Sequence, residues 1–346
     1  MFSQFSRRRT SVAAGRLGGA FAAVITVVLA VGALPPASAP AAPPPDPPVG
    51  RLLPSPWDAT ADTSAGGGAW TKPADSEALA ALPDRYDLRT AHPTWVTPVR
   101  DQTPYGLCWA FTAVAAAESA IARHGAVSVA TPLSVAHLVQ AAERAGFETP
   151  LSSGGSSNIA AAVWSSYRGA QPEAAYPYAA IGQPIAAAAL DASAFHFRGA
   201  WLLPSPRDAA GVYRSNRVAE IKAAVADYGG VSVEFWWDAA YYAPNAAAYY
   251  DPTISHLRGD RNHSVTIIGW DDAYPRTAFA TPAPADGAFL AKNSWGAAWG
   301  DSGYFWLSYY DYSLDGFMVF DMGGAAGGPA SDKHQTVYAY DNLGWQ

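Results

Sequence analysis

The sequence predicts an α+β protein of two segregated lobes, a helical one first and a strand-rich one after it, with its site in the cleft between them. Three observations carry this. Helical periodicity dominates the chain from about residue 108 to 167, and strand patterns dominate from 231 to 309. Half of the 346 residues are hydrophobic and 13% are aromatic, enough to bury a sizeable core. Neither a glycine period nor a heptad is present, which excludes collagen-like and coiled-coil classes.

The run CWAFTAVAAAESAIARH at 108–124 places Phe111, Val114 and Ile121 near one helical face, with Gly125 as the stop. A second helix is predicted over 134–145 with Ser134 as its N-cap, and a third over 158–167. Strands are predicted at 231–236, 264–270, 288–292 and 304–309, with Asp301-Ser302-Gly303 as turn chemistry before the last.

The region ahead of residue 82 has a different character. Arg7, Arg8, Arg9 and Arg16 form a basic segment, residues 17–34 are apolar or small except Thr26, and Ala37-Ser38-Ala39 is a small-residue cleavage pattern. Residues 1–41 therefore read as a signal peptide, cut after Ala39 or, because Pro40 disfavours that cut, after Ala41. The alternative is an uncleaved anchor, since eighteen such residues just reach spanning length. Residues 42–81 are rich in proline and glycine and read as a linker or short propeptide. Residues 82–346 form the compact domain. The 22 basic residues less the leader's four arginines leave 18 against 29 acidic, a balance of −11 for the exported part. That acidity argues against a nucleic-acid partner, and a leader that is removed leaves no membrane association. A secreted or cell-envelope location and a monomer are expected.

The single cysteine, Cys108, excludes an intramolecular disulfide and any multi-cysteine metal site. Cys108 opens the first helical run, where unpaired N–H groups and the dipole favour thiolate. The bland reading is a small buried hydrophobe. Its context is informative. Gln102, six residues earlier, can offer a side-chain amide where negative charge builds beside the Cys108 N–H. His263 heads an apolar strand, a rigid mount for a general base. Asn293 ends another strand and can accept the imidazole N–H, while Trp295 shields that bond from water.

In this order the residues resemble the papain-like cysteine peptidases, over most of 82–320. The landmarks are Leu82-Pro83-Asp84-Arg85-Tyr86-Asp87-Leu88-Arg89, Val99-Arg100-Asp101-Gln102, Gly106-Leu107-Cys108-Trp109-Ala110-Phe111 and Ser153-Gly154-Gly155. Asn262-His263-Ser264-Val265, Asn293-Ser294-Trp295-Gly296 and Trp299-Gly300-Asp301-Ser302-Gly303-Tyr304 complete the series. The resemblance implies a papain-like two-lobed fold, peptide or protein substrates and no cofactor or metal. It implies Cys108 as nucleophile, His263 as base and then acid, Asn293 as orienter and Gln102 in the oxyanion hole. It further implies that Gly154 and Gly155 let an extended substrate approach, and that Ser156, Ser157 and Ser264 line the pocket for the side chain preceding the scissile residue. The opposite wall of that pocket is unassigned.

The departures are Tyr105, where the family usually has a disulfide cysteine, and Leu107, in place of serine or alanine. His263 and Asn293 lie 155 and 185 residues after Cys108, beyond the usual span of about 130–150. These features look like a bacterial exported branch whose members often carry a following lectin-like domain. Three competing patterns are weaker. Gly300-Asp301-Ser302-Gly303 resembles a serine-peptidase motif, but the helical run from Cys108 contradicts an all-β double barrel. Asn262-His263-Ser264 is formally a glycosylation sequon, and His256, Asp260 and His263 fit no common metal spacing. The function expected is a secreted cysteine endopeptidase. The alternatives are a catalytically weak binding module on the same scaffold, or an amidase acting on cell-wall peptides. An unpaired thiol in an oxidising compartment is vulnerable to oxidation. Mild reductant is therefore expected to raise peptide turnover with no change in melting temperature.

Overall fold

The structure is a computed structural model that describes residues 82–325, apart from 126–129, 148–150, 152–153, 167, 258 and 260. The expected leader and linker lie outside the described residues, as do Ser153 and the last part of the expected domain, 326–346.

One helix organises the domain. α1 (Cys108–Arg123) has Trp109, Val114 and Ile121 buried, together with Ala110, Ala113, Ala116, Ala117 and Ala120. The sequence pattern led to an expectation of one apolar face, but a helix buried all round belongs to the interior, and its alanines let neighbours approach closely. α2 (Val135–Arg144) starts where expected, Ser134 Oγ accepting the His137 N–H at 2.9 Å. α3 (Ser157–Ser165) follows. Leu133, Leu138, Val139, Ile159, Val163 and Trp164 close the first core around α1.

The strands are β1 (Arg85–Asp87), β2 (Phe195–Leu203), β3 (Val231–Phe235), β4 (Tyr242–Ala243), β5 (Ala248–Tyr249), β6 (His263–Asp271), β7 (Ala288–Lys292), β8 (Tyr304–Ser308) and β9 (Asp315–Ala325). Among the described residues they form one sheet, ordered β2-β9-β3-β6-β7-β8-β5-β4, with β1 joining β6 beyond the end of β3. The four expected strands are β3, β6, β7 and β8. Pairing is antiparallel throughout except between β5 and β8, which run parallel. On the sheet's second face α4 (Ser215–Tyr228) sets Val218, Ile221 and Val225 in one core with Val231, Val233, Val265 and Ile267.

The lobes are less segregated than the sequence pattern implies. β9 sends Met318, Phe320 and Met322 into the helical core and Phe317 and Val319 into the other, the period-2 alternation of a strand buried on both faces. β1 precedes every long helix, and α4 lies within the strand-rich half. The two departures from the family pattern also find physical reasons. Leu107 is fully buried in the helical core, a place that favours an apolar side chain. Tyr105 meets Tyr178 edge-on at 6.4 Å, Tyr178 meets Phe111 at 4.8 Å, and the Gly106 N–H bonds the Leu151 carbonyl at 2.9 Å. Aromatic packing and a backbone bond thus hold the loop without a disulfide.

Where β1 joins β6, a Cβ on Gly269 would lie 2.3 Å from the Tyr86 carbonyl oxygen and 3.1 Å from the Asp87 Cα. Both are backbone atoms, so relief requires moving a strand. Gly269→Ala is expected to cost about 1–3 kcal/mol in denaturant unfolding. A variant as stable as the parent would contradict this packing.

Candidate active site

The register between α1 and β6 places Cys108. Thr266 Oγ1 donates to the Thr112 carbonyl at 3.3 Å, and further along the helix Ala116 lies against Gly230, just before β3. Helix and strand therefore progress in the same direction. One turn back from Thr112 is about 6 Å and reaches Cys108. Two residues back from Thr266 is about 6.7 Å and reaches Ser264, beside His263. The first residue of α1 and the first residues of β6 thus come level at the lobe seam. Cys108 and His263 are both fully buried.

A backbone bond fixes the imidazole. The Ser294 N–H donates to Asn293 Oδ1 at 2.8 Å, which sets the Asn293 amide with its oxygen toward the ring. His263 Nε2 lies 2.8 Å from the same oxygen and must therefore be the protonated nitrogen. Nδ1 is left as the lone-pair nitrogen, buried and without a hydrogen-bond partner. Trp295 stacks on the imidazole, centroids 4.2 Å apart and planes 21° apart, and Phe235 meets its edge at 5.5 Å. Burial pushes the His263 pKa down to about 3, against a smaller opposing contribution from the Asn293 bond.

The Gln102 loop is laced to the Asn293 loop. The Gln102 N–H bonds the Ser294 carbonyl at 2.8 Å, Ser294 Oγ donates to Gln102 Oε1 at 2.7 Å, and Asp101 bridges Trp295. Gln102 Nε2 donates to the Tyr105 carbonyl at 2.9 Å, so its NH2 group is oriented toward the turn leading into Cys108. The amide carries a second hydrogen in addition to that one.

Gly154 has φ +85°, where glycine is strongly favoured. At Gly155 a Cβ would fall 2.6 Å from the Trp109 indole. Its demand for glycine thus comes from inside the fold, in addition to the substrate approach expected from the sequence. Ser156 precedes α3 without capping it through its side chain. Ser264 Oγ donates to the Val233 carbonyl at 3.0 Å, committing its hydroxyl to the sheet.

Sequence reasoning missed a buried charge network one residue from Asn293. Lys292 Nζ donates to Thr97 Oγ1 at 2.8 Å, and Thr97 donates to Glu118 Oε2. Glu118 Oε1 accepts from Arg100 at 3.1 Å and from the Leu133 N–H at 2.7 Å. Burial pushes Lys292 down to about 8. Glu118, the one acid in an alanine-rich run, was the available signal. Trp237 was also missed; it exchanges two bonds with Asn262 and meets Trp295 edge-on at 4.9 Å. The Asn262 side chain is thereby occupied, which leaves the sequon without a presented amide. His256 turns to Asp251, Nδ1 to Oδ2 at 2.5 Å, rather than toward His263.

Comparison with known proteins gives the family. The papain family cysteine protease model matches residues 82–314. Cathepsin J of Mus musculus is 30% identical over 239 residues, covering 68% of this chain and 64% of its own. Thiol protease aleurain of Arabidopsis thaliana is 31% identical over 228 residues, covering 65% and 56%. The chain thus spans about three-fifths of the length of these relatives. Among solved structures, procathepsin L2 from the Tenebrio molitor larval midgut superposes with a TM-score of 0.52 at 26% identity, over 69% of this chain and 68% of that one. The cysteine protease and lectin-like domains of Cwp84, a surface layer associated protein of Clostridium difficile, superpose with a TM-score of 0.58 at 23% identity, over 71% and 52%. With the family model spanning well over half of its residues, the chain belongs to the papain family of cysteine proteases.

Proposed function

We propose that the protein is an exported cysteine endopeptidase in which Cys108, His263 and Asn293 form the catalytic triad and Gln102 contributes to the oxyanion hole. The observation that carries this reading is the oriented imidazole: Asn293 holds Nε2–H, and the basic Nδ1 is buried without a partner at the level of Cys108. Export rests on the N-terminal sequence and on the resemblance to a surface-associated bacterial protease domain.

His263 Nδ1 takes the thiol proton, and the thiolate forms an S–C bond to the scissile carbonyl carbon. The oxyanion draws on the Cys108 N–H at the start of α1 and on Gln102 Nε2. The C–N bond breaks as His263 returns the proton to the leaving amine. Water, deprotonated by His263, then adds to the acyl carbon, and breaking the C–S bond restores the thiol. Trp295 keeps water from the His263–Asn293 bond throughout.

The balance of charge in the resting pair follows from magnitudes. Displacing the imidazole pKa from 6.5 to about 3 corresponds to on the order of 5 kcal/mol against the imidazolium. A thiolate about 4 Å away returns roughly 4 kcal/mol at an effective dielectric near 20, and a helix N-terminus adds about 0.3–1 kcal/mol of thiolate stabilisation. Imidazolium therefore depends on the thiolate.

Two outcomes are expected. Cys108→Ala abolishes turnover of unstructured peptides while circular dichroism and melting temperature stay near the parent values; retained turnover removes the assignment. In that same variant the His263 imidazole stays neutral down to pH 5 by nitrogen-15 NMR, and a midpoint near 6.5 would show that burial does not control it. The sign for stability follows. The unfolded chain binds this proton near pH 6.5 and the folded variant only near pH 3, so His263 makes the variant lose stability as pH falls through that window.

A further inference from the structure

Two buried carboxylates meet where the chain leaves β5 on its way to His263. Asp251 and Asp311 are both closed off from solvent. The Asp251 N–H donates to Asp311 Oδ2 at 2.7 Å, and the Ser313 N–H and Oγ donate to Asp311 Oδ1 at 2.8 and 2.6 Å. Asp251 Oδ1 accepts the Thr253 N–H at 2.8 Å, its Oδ2 lies 2.5 Å from His256 Nδ1, and its carbonyl accepts the Tyr312 N–H at 3.1 Å. The segment 251–257 and the turn after β8 are therefore joined by polar bonds around two acids. Apolar packing adds little there, since Ile254 is 63% exposed and Ser255 is exposed as well.

The charge of this group depends on protons. The cation facing it is His256, which carries charge only when protonated. Arg207 comes close over the Tyr312 ring at 3.7 Å, but it spends Nε and Nη2 on the Tyr310 carbonyl and Nη1 on the Gly211 carbonyl. Tyr249 faces both carboxylates and gives its proton to the Trp236 carbonyl, while accepting the N–H of the exposed Asp238. Burial holds the Tyr249 phenol well above its usual range and pushes Tyr250 up to about 12, so both stay neutral. Tyr241 reaches the segment through a 2.8 Å hydrogen bond with Thr253 Oγ1. Burial pushes the Asp311 carboxyl up to about 7, the bonds from Ser313 and the Asp251 N–H oppose this, and the Asp251 charge adds to it. In mild acid one carboxylate faces one imidazolium. As pH rises, Asp311 ionises beside Asp251 and His256 loses its charge, and both changes act against the closed arrangement.

We propose that Asp251, Asp311 and His256 form a proton-operated latch that keeps the 251–257 segment closed in mild acid and frees it as the medium turns neutral to alkaline. Its effect on turnover rests on the peptidase reading. The His256 ring packs on Trp236 at 5.1 Å, Trp236 follows Phe235 at the edge of the His263 ring, and Trp237 is bonded to Asn262. Freeing the segment thus loosens the aromatic shell of the imidazole. The closed form binds the Asp311 proton up to about pH 7 and an opened segment only near pH 4, so opening becomes easier as pH rises through that window.

The test is hydrogen–deuterium exchange of the full chain, corrected for the intrinsic pH dependence of amide exchange. Protection of 251–257 is expected to fall about a hundredfold between pH 5 and pH 8 while β7 stays unchanged. Asp311→Asn removes the titrating proton and is expected to flatten that response to about threefold or less, whatever its level at pH 5. Equal protection of the parent at the two pH values overturns the latch, as does a variant that keeps the parent's response. Loss of protection that includes β7 also overturns it, because it marks global unfolding. A measurement on the parent alone guards against a misfolded variant: the Asp311 carboxyl carbon-13 signal is expected to titrate near pH 7, and a midpoint near 4 overturns the proposal. Turnover is read separately. The ratio of peptide kcat/KM at pH 8 to that at pH 5 is expected to be about tenfold higher in Asp311→Asn than in the parent, and an unchanged ratio overturns the link to the site. A parent that cleaves no peptide sinks the peptidase reading, and the exchange and carbon-13 results still decide the latch.

Discussion

The contact on which the rest of the molecule depends is the close approach of α1 to the central sheet. Alanine at 110, 113, 116, 117 and 120 thins the helix, and the Thr266 hydroxyl ties it to β6 at Thr112. That single register brings the first residue of a helix level with the first residues of a strand 155 positions later in sequence. Larger side chains on α1 would keep the helix away from β6, and the cysteine would no longer stand level with the imidazole. The orientation of that imidazole depends on a second, local constraint, the Ser294 N–H that sets the Asn293 amide. Packing thus delivers the distance between the groups, and backbone hydrogen bonding delivers the protonation state.

The parts of the fold legible in sequence are those whose pattern is local. Ser134 announces α2 through a side-chain cap, and β6 and β7 are near-continuous apolar runs between polar ends. α4 escaped notice because Arg214 gives it no capping side chain. β2 mixes His196, Arg198 and Gly199 into its length, and β9 opens on Asp315-Gly316 and is buried on both faces, so neither shows a clean alternation. The triad was legible because each member sits in its own short motif. Trp237 and the charge network were not, since Thr97, Glu118 and Lys292 come together only after the sheet has formed.

A largely buried ionic group flanks the site. In it Arg100 faces Glu118 and Glu173, Lys292 reaches Glu118 through Thr97, and the Leu133 N–H fills a remaining hydrogen-bonding position, giving two charges of each sign. Its charges balance overall, and the bonds through Thr97 offset part of the cost of burying Lys292. It lies at the lobe seam, one residue before Asn293, where its effect is to pin β7 against the helical half.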